Sequence, residues 1–180
     1  GDFAVAADTR KRRALGAIGV VLALASVELV VRLIEPREVL REFFEAPDQV
    51  LHHKFIPGSK GRQKTLEFDA SYTINTLGLR DRELPREKPA GVRRVLMLRD
   101  AFTEGLGGND DETFSSLRRR QIEQEGYGDR WQIINAGIAS YSPLLEYLYL
   151  KNGGLALEPD LVVLHLDLSD FYDDIQYTQL

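Results

Sequence analysis

The sequence predicts an α/β domain that follows a single N-terminal transmembrane helix. A basic cluster at residues 10–13 precedes 21 almost entirely apolar residues, Ala14 to Ile34. Further along, three short apolar runs alternate with two helical segments, which is typical of a parallel sheet built from strand–helix–strand units. We expect four parts: a cytoplasmic basic N-terminus (1–13), the transmembrane helix (14–34), an extracytoplasmic connecting segment (35–91) and a partial α/β domain (92–180).

The apolar segment has the length and the flanks of a membrane anchor. As a helix it spans roughly 31 Å, which is close to the thickness of a bilayer's hydrocarbon core. Pro36 ends it, because proline cannot continue a helix. Two alternatives are a cleavable signal peptide, for which Ala23-Leu24-Ala25 offers a cleavage pattern, and a buried helix of a soluble protein. The basic flank and the all-round apolar surface disfavour the buried helix.

Charged residues orient this predicted anchor. Lys and Arg next to a membrane segment stay in the cytoplasm, so the basic cluster places the bulk of the chain outside it. Within the segment only Glu28 and Arg32 are charged. Four residues apart on a helix, they can pair with each other or face a neighbouring transmembrane helix, and they are candidates for contact with a membrane partner.

The connecting segment is expected to hold little regular structure. Residues 37–44 have helical spacing, whereas residues 46–64 predict a loop because prolines and glycines interrupt them. Residues 66–74 alternate imperfectly and predict a strand. A turn at 75–82 and a polar linker with two prolines at 83–91 lead into the α/β part.

The last part of the chain carries the alternation of strands and helices. Apolar runs of this kind suit strands that are covered on both faces. The first helix has acidic residues at its positive end, and the second begins with a proline and ends before two glycines. The predicted strands are Arg94–Leu98, Trp131–Ile134 and Leu161–Leu166, and the predicted helices are Thr113–Glu125 and Pro143–Lys151. His165 is expected inside the third strand as a core residue.

Composition excludes several classes of function. The chain has no cysteine, which excludes a disulfide framework, a thiolate metal site and a cysteine nucleophile. From Pro36 on, 18 basic residues stand against 24 acidic ones, so the net charge of that part is −6. Nucleic acid requires clustered Lys and Arg, so we expect no nucleic-acid partner. The sequence gives no indication of a cofactor.

Three polar segments follow the predicted strands, at the edge of a parallel sheet where ligands usually bind. They are LRDAFTEG (98–105), INAG (134–137) and DLSD (167–170), and NTLGLRD (75–81) and EPDLVV (158–163) accompany them. In this order and spacing they resemble the sequence blocks of SGNH (GDSL-type) hydrolases, in particular the membrane-anchored bacterial branch. The resemblance runs from about Asn75 to the end of the chain. It implies a truncated, flavodoxin-like three-layer fold with strand order 2-1-3. It also implies that the chain is anchored in the bacterial inner membrane and that the bulk of the chain is periplasmic.

The first of these blocks departs from the family at its reactive positions. The family's Gly-Asp-Ser turn falls on Arg99, Asp100 and Ala101. A methyl group cannot attack a carbonyl, so Ala101 cannot act as the nucleophile. Arg99 puts a bulky cation at a tight turn that the family builds with glycine.

The other blocks retain little of the family's chemistry. The asparagine of the oxyanion hole falls on Ser169, a shorter donor, followed by Asp170. Of the oxyanion elements, only Gly137 stands as the family would have it, and the resemblance assigns its N–H to the oxyanion hole. The family's closing D-x-x-H block does not occur before Leu180, and we assign no role to His52 and His53, which fall in the predicted loop.

Two charge clusters allow a functional and a structural interpretation. The aspartates 100, 167, 170, 173 and 174 could converge and bind Mg²⁺ or Ca²⁺. Alternatively, Asp100 and Asp170 hydrogen-bond their own turns, Arg99 neutralises part of the cluster, and Asp173 and Asp174 are solvated. The run Arg118–Arg120 fans around roughly 200° of a helix, so we expect a solvated face and no single binding patch.

The membrane anchor, the altered site and the short sheet favour a non-catalytic protein that is a structural or accessory subunit of a larger membrane complex. An unpaired sheet edge invites such partners. The expected partners are therefore the lipid bilayer and other subunits. One alternative, whose substrate class the resemblance supplies, is a disabled or shortened periplasmic acyl-ester hydrolase or acyltransferase that acts on cell-envelope glycans. Another is a carbohydrate- or ligand-binding module that keeps the cleft without the chemistry.

Overall fold

The computed structural model describes residues 2–34, 44–166, 168 and 170–177. The chain divides into two compact units, Gly1–Arg37 and Glu38–Leu180. In the first unit, helix α1 (Asp2–Ile34) contains a stretch, Arg13–Leu33, that is long and apolar enough to cross a membrane. A helix of this kind near an N-terminus is compatible with a membrane anchor or a signal sequence. Glu28 and Arg32 contact each other along α1, where Oε1 and Nε lie 2.7 Å apart.

The second unit begins with two antiparallel hairpins in the segment that the sequence suggested was mostly loop. The strands are β1 (Glu45–Asp48), β2 (His52–Phe55), β3 (Lys60–Lys64) and β4 (Asp69–Thr73). The predicted loop over 46–64 is therefore wrong. These strands are mostly polar because they bury only isolated side chains such as Phe55 and Tyr72, which leaves no apolar run to recognise. The helix expected at 37–44 lies outside the described residues apart from Phe44, which is fully buried.

The remainder forms the predicted mixed α/β arrangement. Strands β5 (Arg93–Leu98), β6 (Trp131–Asn135) and β7 (Leu161–Leu164) form a parallel sheet in the order β6-β5-β7, which is the predicted order 2-1-3. The helices are α2 (Ala101–Glu104), α3 (Phe114–Gln124), α4 (Pro143–Asn152) and α5 (Asp170–Tyr177), and a 3₁₀ turn spans Gly154–Leu157. Strand β7 is shorter than predicted, so His165 follows the strand instead of lying inside it.

Helix boundaries follow the local chemistry that predicts them. Thr113 caps α3 through its side chain, which accepts a hydrogen bond from the Ser116 N–H. Pro143 occupies the first turn of α4, where its missing N–H has no helical acceptor, and Gly153 ends that helix.

Within the described residues, three apolar clusters make up the core. On one face of the sheet Leu96 and Ile134 pack with Leu157 and with side chains of α4. On the other face Val95, Met97 and Ile133 pack against Ile122 of α3. The third cluster joins the hairpins to the chain after β6, and it contains Phe44, Phe55, Ala70, Tyr72, Ile74, Ile138, Tyr141 and Leu145. Residues between 44 and 91 thus contribute to the same core as the α/β part.

Candidate functional site

The turn after β5 is closed by contacts among its own side chains. Asp100 caps α2, because its Oδ1 accepts a hydrogen bond from the Phe102 N–H at 3.0 Å. The Arg99 Nε lies 3.1 Å from the same oxygen, and its guanidinium lies 4.5 Å from the centre of the Phe102 ring. Arg99 therefore neutralises Asp100, as the structural interpretation of the cluster expects. Ala101 begins α2 and presents only a methyl group.

Gly137 is required by the close approach of α2 to the chain after β6. A Cβ at this position would lie 2.2 Å from the Glu104 N and 2.6 Å from the Thr103 carbonyl carbon, and neither backbone atom can move away cheaply. The Gly137 N–H donates to Asn135 Oδ1 at 3.0 Å. The N–H that the resemblance assigns to an oxyanion hole thus already has an acceptor within the fold. Ser169, the other position assigned to that hole, lies outside the described residues.

Two buried glutamates stand behind this turn, and sequence reasoning missed both. Glu104 at the end of α2 is fully buried, and its Oε2 accepts a hydrogen bond from the Ala139 N–H. Glu146 of α4 is 1% exposed, and neither of its carboxyl oxygens has a hydrogen-bond partner among the residues that the structure describes. A single acidic residue among the apolar side chains of PLLEYLYL is the signal that could have revealed Glu146.

The environment of Glu146 keeps its side chain neutral. Burial, followed by the negative charges of Asp170 and Asp100, raises the pKa of Glu146 from 4.5 to about 8, while Arg99 acts in the opposite direction. A carboxyl group without hydrogen-bond donors and next to other carboxylates holds its proton at neutral pH. The candidate site is therefore a cluster of buried acidic groups in which one proton and the Arg99 guanidinium offset the negative charge.

Two aspartates of α5, Asp170 and Asp174, take part in the packing of that helix. Asp170 is 2% exposed. Asp174 Oδ1 accepts a hydrogen bond from the Leu144 N–H at 3.0 Å and so caps α4, whose own N-cap residue Ser142 makes no such side-chain bond. The expectation that Asp174 is solvated is wrong, because it fills a vacant capping role on another helix.

No arrangement of three or more His, Asp or Glu side chains suitable for a metal ion occurs in the described part of the chain. Asp167 and the side chain of Asp173 lie outside that part. The carboxylates described here are instead offset by Arg99, by backbone N–H donors and by the proton on Glu146.

The segment NTLGLRD (75–81) holds the hairpins against the α/β part. The Arg80 side chain is buried and donates to the carbonyl oxygens of Ser71, Glu104, Gly105 and Gly108 and to Asp110 Oδ1. Its guanidinium also lies 3.7 Å from the centre of the Tyr72 ring. Arg80 thus links β4 to α2 and the loop that follows it.

Asp81, the next residue, contacts β6 and α3. Its buried carboxylate accepts hydrogen bonds from the Asn135 N–H at 2.8 Å and from Arg119. Arg119 is 8% exposed, so the expectation that the whole run 118–120 is solvated is wrong for this residue. Its partner comes from a distant part of the sequence, which local spacing does not reveal.

Each of the three histidines has a contact within the fold. His53 Nε2 lies 2.8 Å from the Ala139 carbonyl oxygen, and the Tyr141 hydroxyl donates to the His53 carbonyl oxygen. His52 and His53 are the first two residues of β2, so neither belongs to a loop, and their Nδ1 atoms lie 3.0 Å apart. His165 Nδ1 lies 3.5 Å from the Thr103 hydroxyl oxygen, at the limit of hydrogen bonding. These contacts give the histidines structural roles.

Comparison of the chain with known protein families finds no family model that matches it, and comparison with curated proteins finds no match either.

Proposed function

We propose that this chain is a non-catalytic, membrane-anchored SGNH-like protein that serves as a structural or accessory subunit of a larger membrane complex. The proposal rests on the side chains at the turn after β5. Arg99 is paired with Asp100, and Ala101 offers no nucleophile. Ala101 therefore does not supply the attacking group that acyl transfer requires.

The site around that turn supports the same conclusion. The Gly137 N–H is engaged by Asn135, so a substrate oxyanion would have to displace an internal hydrogen bond in order to use it. An oxyanion hole depends on donors that are already directed at the developing charge.

The first unit of the chain supports a role in the membrane. Helix α1 is apolar over Arg13–Leu33 and has a basic cluster before that stretch. We propose that it anchors the chain in the inner membrane, with the folded unit in the periplasm. The Glu28–Arg32 pair is then a polar spot within the membrane segment that suits contact with a second helix.

The experiment that tests the subunit role is gentle solubilisation of the native membrane followed by native electrophoresis. We expect the chain to co-migrate in fixed stoichiometry with one large complex. A matched variant in which Glu28 and Arg32 are both replaced by leucine keeps the anchor and removes the polar spot, and it should dissociate more readily from that complex. Migration of the wild-type chain alone would contradict the proposal.

A disabled acyl-ester hydrolase is the second candidate, and the raised pKa of Glu146 favours it, because ionisable groups of this kind cluster at active sites. The double substitution Arg99→Gly and Ala101→Ser restores the family's turn. We expect no hydrolysis of short-chain nitrophenyl esters by this variant, because the Gly137 N–H remains engaged. Turnover by the folded variant would favour the hydrolase, and turnover by the unmodified chain would refute the non-catalytic assignment.

A further inference from the structure

The side chains of His52 and His53 meet although the two residues are consecutive in β2. Consecutive side chains of a regular strand point to opposite faces. His52 departs from this alternation, since its φ is 62°, in the left-handed region that residues other than glycine seldom adopt. The Nδ1 atoms of the two rings lie 3.0 Å apart. Backbone outliers of this kind concentrate at functional sites.

The contacts of His53 fix which of its ring nitrogens carries the proton. Nε2 lies 2.8 Å from the Ala139 carbonyl oxygen, which can only accept a hydrogen bond, so the proton is on Nε2. A neutral His53 therefore presents the lone pair of Nδ1 to His52. Histidines that bind metal ions typically have this arrangement, in which the other ring nitrogen donates to a carbonyl oxygen and orients the ring.

The separation of the two Nδ1 atoms suits one shared ion. Two imidazole nitrogens that are each about 2.0–2.1 Å from an ion and roughly 90° apart lie about 3 Å from each other. Ligands at right angles are typical of tetragonal Cu²⁺ and Ni²⁺ sites, whereas tetrahedral Zn²⁺ requires a wider angle. The ring centres of His52 and His53 are 5.2 Å apart, so the rings meet nearly end to end, and each turns modestly to direct its lone pair at a shared ion.

Asp48 lies opposite His52 in the hairpin but does not act as a third ligand. Its Oδ2 lies 2.7 Å from Lys54 Nζ, and its Oδ1 accepts hydrogen bonds from the N–H groups of Val50 and Leu51. The contact with Lys54, followed by these backbone donors, lowers the pKa of Asp48 to about 2, so its carboxylate is ionised at neutral pH. In the part of the chain that the structure describes, no third histidine or carboxylate completes a metal-binding group.

We infer that His52 and His53 bind a divalent transition-metal ion, Cu²⁺ above all, through their two Nδ1 atoms, with water in the other coordination positions. Cu²⁺ binds imidazole most strongly in the first-row series and accepts ligands at right angles. Without the ion, His52 Nδ1 carries the proton that joins the two rings, because His53 Nδ1 is the acceptor. The ion takes the place of this proton, which moves to His52 Nε2 or to solvent. The inference does not depend on the proposed subunit function.

The test is a titration of the full chain, solubilised and without a polyhistidine tag, with Cu²⁺ alone at about pH 7.5, where imidazole is available as a ligand. Electron paramagnetic resonance reports how many imidazole nitrogens bind the ion. We expect one tight Cu²⁺ per chain, bound by two imidazole nitrogens. An excess of Mg²⁺ should not compete, because Mg²⁺ requires oxygen ligands.

Three variants locate the ion. His53→Gln keeps a side-chain N–H near the Ala139 carbonyl oxygen and removes the Nδ1 ligand. His52→Gly removes the other ring at a backbone conformation that glycine adopts freely, and because His52 is exposed the fold should tolerate its loss. His165→Gln changes the third histidine and is the matched control. We expect each of the first two variants to weaken Cu²⁺ binding by at least about tenfold and the control to leave it unchanged.

The outcomes decide between a metal site and a hydrogen-bonded pair. Loss of the two-nitrogen signal in His52→Gly and His53→Gln, with the Trp131 emission of the folded chain retained, supports the site. A wild-type chain that binds no stoichiometric Cu²⁺ would overturn the inference, as would binding that survives in both variants or that falls equally in His165→Gln.

Discussion

Glu146 provides the most direct test of the structural reasoning, because its carboxyl group is buried without a hydrogen-bond partner. Its pKa in the folded protein is about 8 against an ordinary 4.5. The folded state therefore holds a proton that the unfolded state releases. The stability that this group contributes is fully present below about pH 4.5 and is lost as the pH rises to about 8.

The size of the effect follows from the width of that window. Each pH unit between the two pKa values corresponds to about 1.4 kcal/mol, so ionisation of Glu146 lowers the free energy of unfolding by about 4–5 kcal/mol across the window. Glu146→Gln keeps the volume and the neutral state and removes the titration. The variant should match the wild type within about 1 kcal/mol near pH 5 and be more stable by several kcal/mol near pH 8.

The assay is urea unfolding of the solubilised chain, followed by fluorescence at a series of pH values. Trp131 is the only tryptophan, and it lies in β6, so its emission reports the folded unit and not α1. Glu67→Gln, the same change at an exposed turn residue, is the matched control and should leave the pH profile unchanged. If the stability difference between wild type and Glu146→Gln stays constant between about pH 5 and pH 8, Glu146 does not titrate as a buried group and the reasoning fails.

Two further predictions concern the residues that hold the site together. Gly137→Ala should destabilise the fold by at least about 2 kcal/mol in the same assay, because the added methyl meets backbone atoms of α2. The matched change is Gly108→Ala, where φ lies outside the left-handed region and the nearest heavy atom to an added Cβ is the Glu112 Cβ at 3.5 Å, an ordinary contact distance. An equal loss at both positions would contradict the steric cause. Arg80→Lys should lower the free energy of unfolding by about 2–4 kcal/mol, because an ammonium group cannot reach all five acceptors to which the guanidinium donates. The control is the same change at an exposed position, Arg62→Lys. An Arg80→Lys variant as stable as the wild type would show that these hydrogen bonds contribute little.

The strand–helix alternation could be predicted from the sequence because each signal is local. A short apolar run such as Arg94–Leu98 indicates a buried strand, and Thr113, Pro143 and Gly153 mark helix ends through contacts within one turn. The strand order 2-1-3, expected from the resemblance, agrees with the order of the sheet. The hairpins of residues 45–73 could not be predicted from the sequence. They bury single side chains against a core whose other half comes from residues 138–145.

The sequence alone therefore determined the apolar N-terminal helix, the parallel sheet and the absence of a nucleophile at Ala101. Only the tertiary structure decided the state of the site. It gives the Gly137 N–H an acceptor, buries Arg119 against Asp81 and leaves Glu146 without a donor. The physical reason is that element formation depends on neighbours within a few residues, whereas burial, ion pairing and protonation depend on groups that are distant in sequence and meet only in the folded chain.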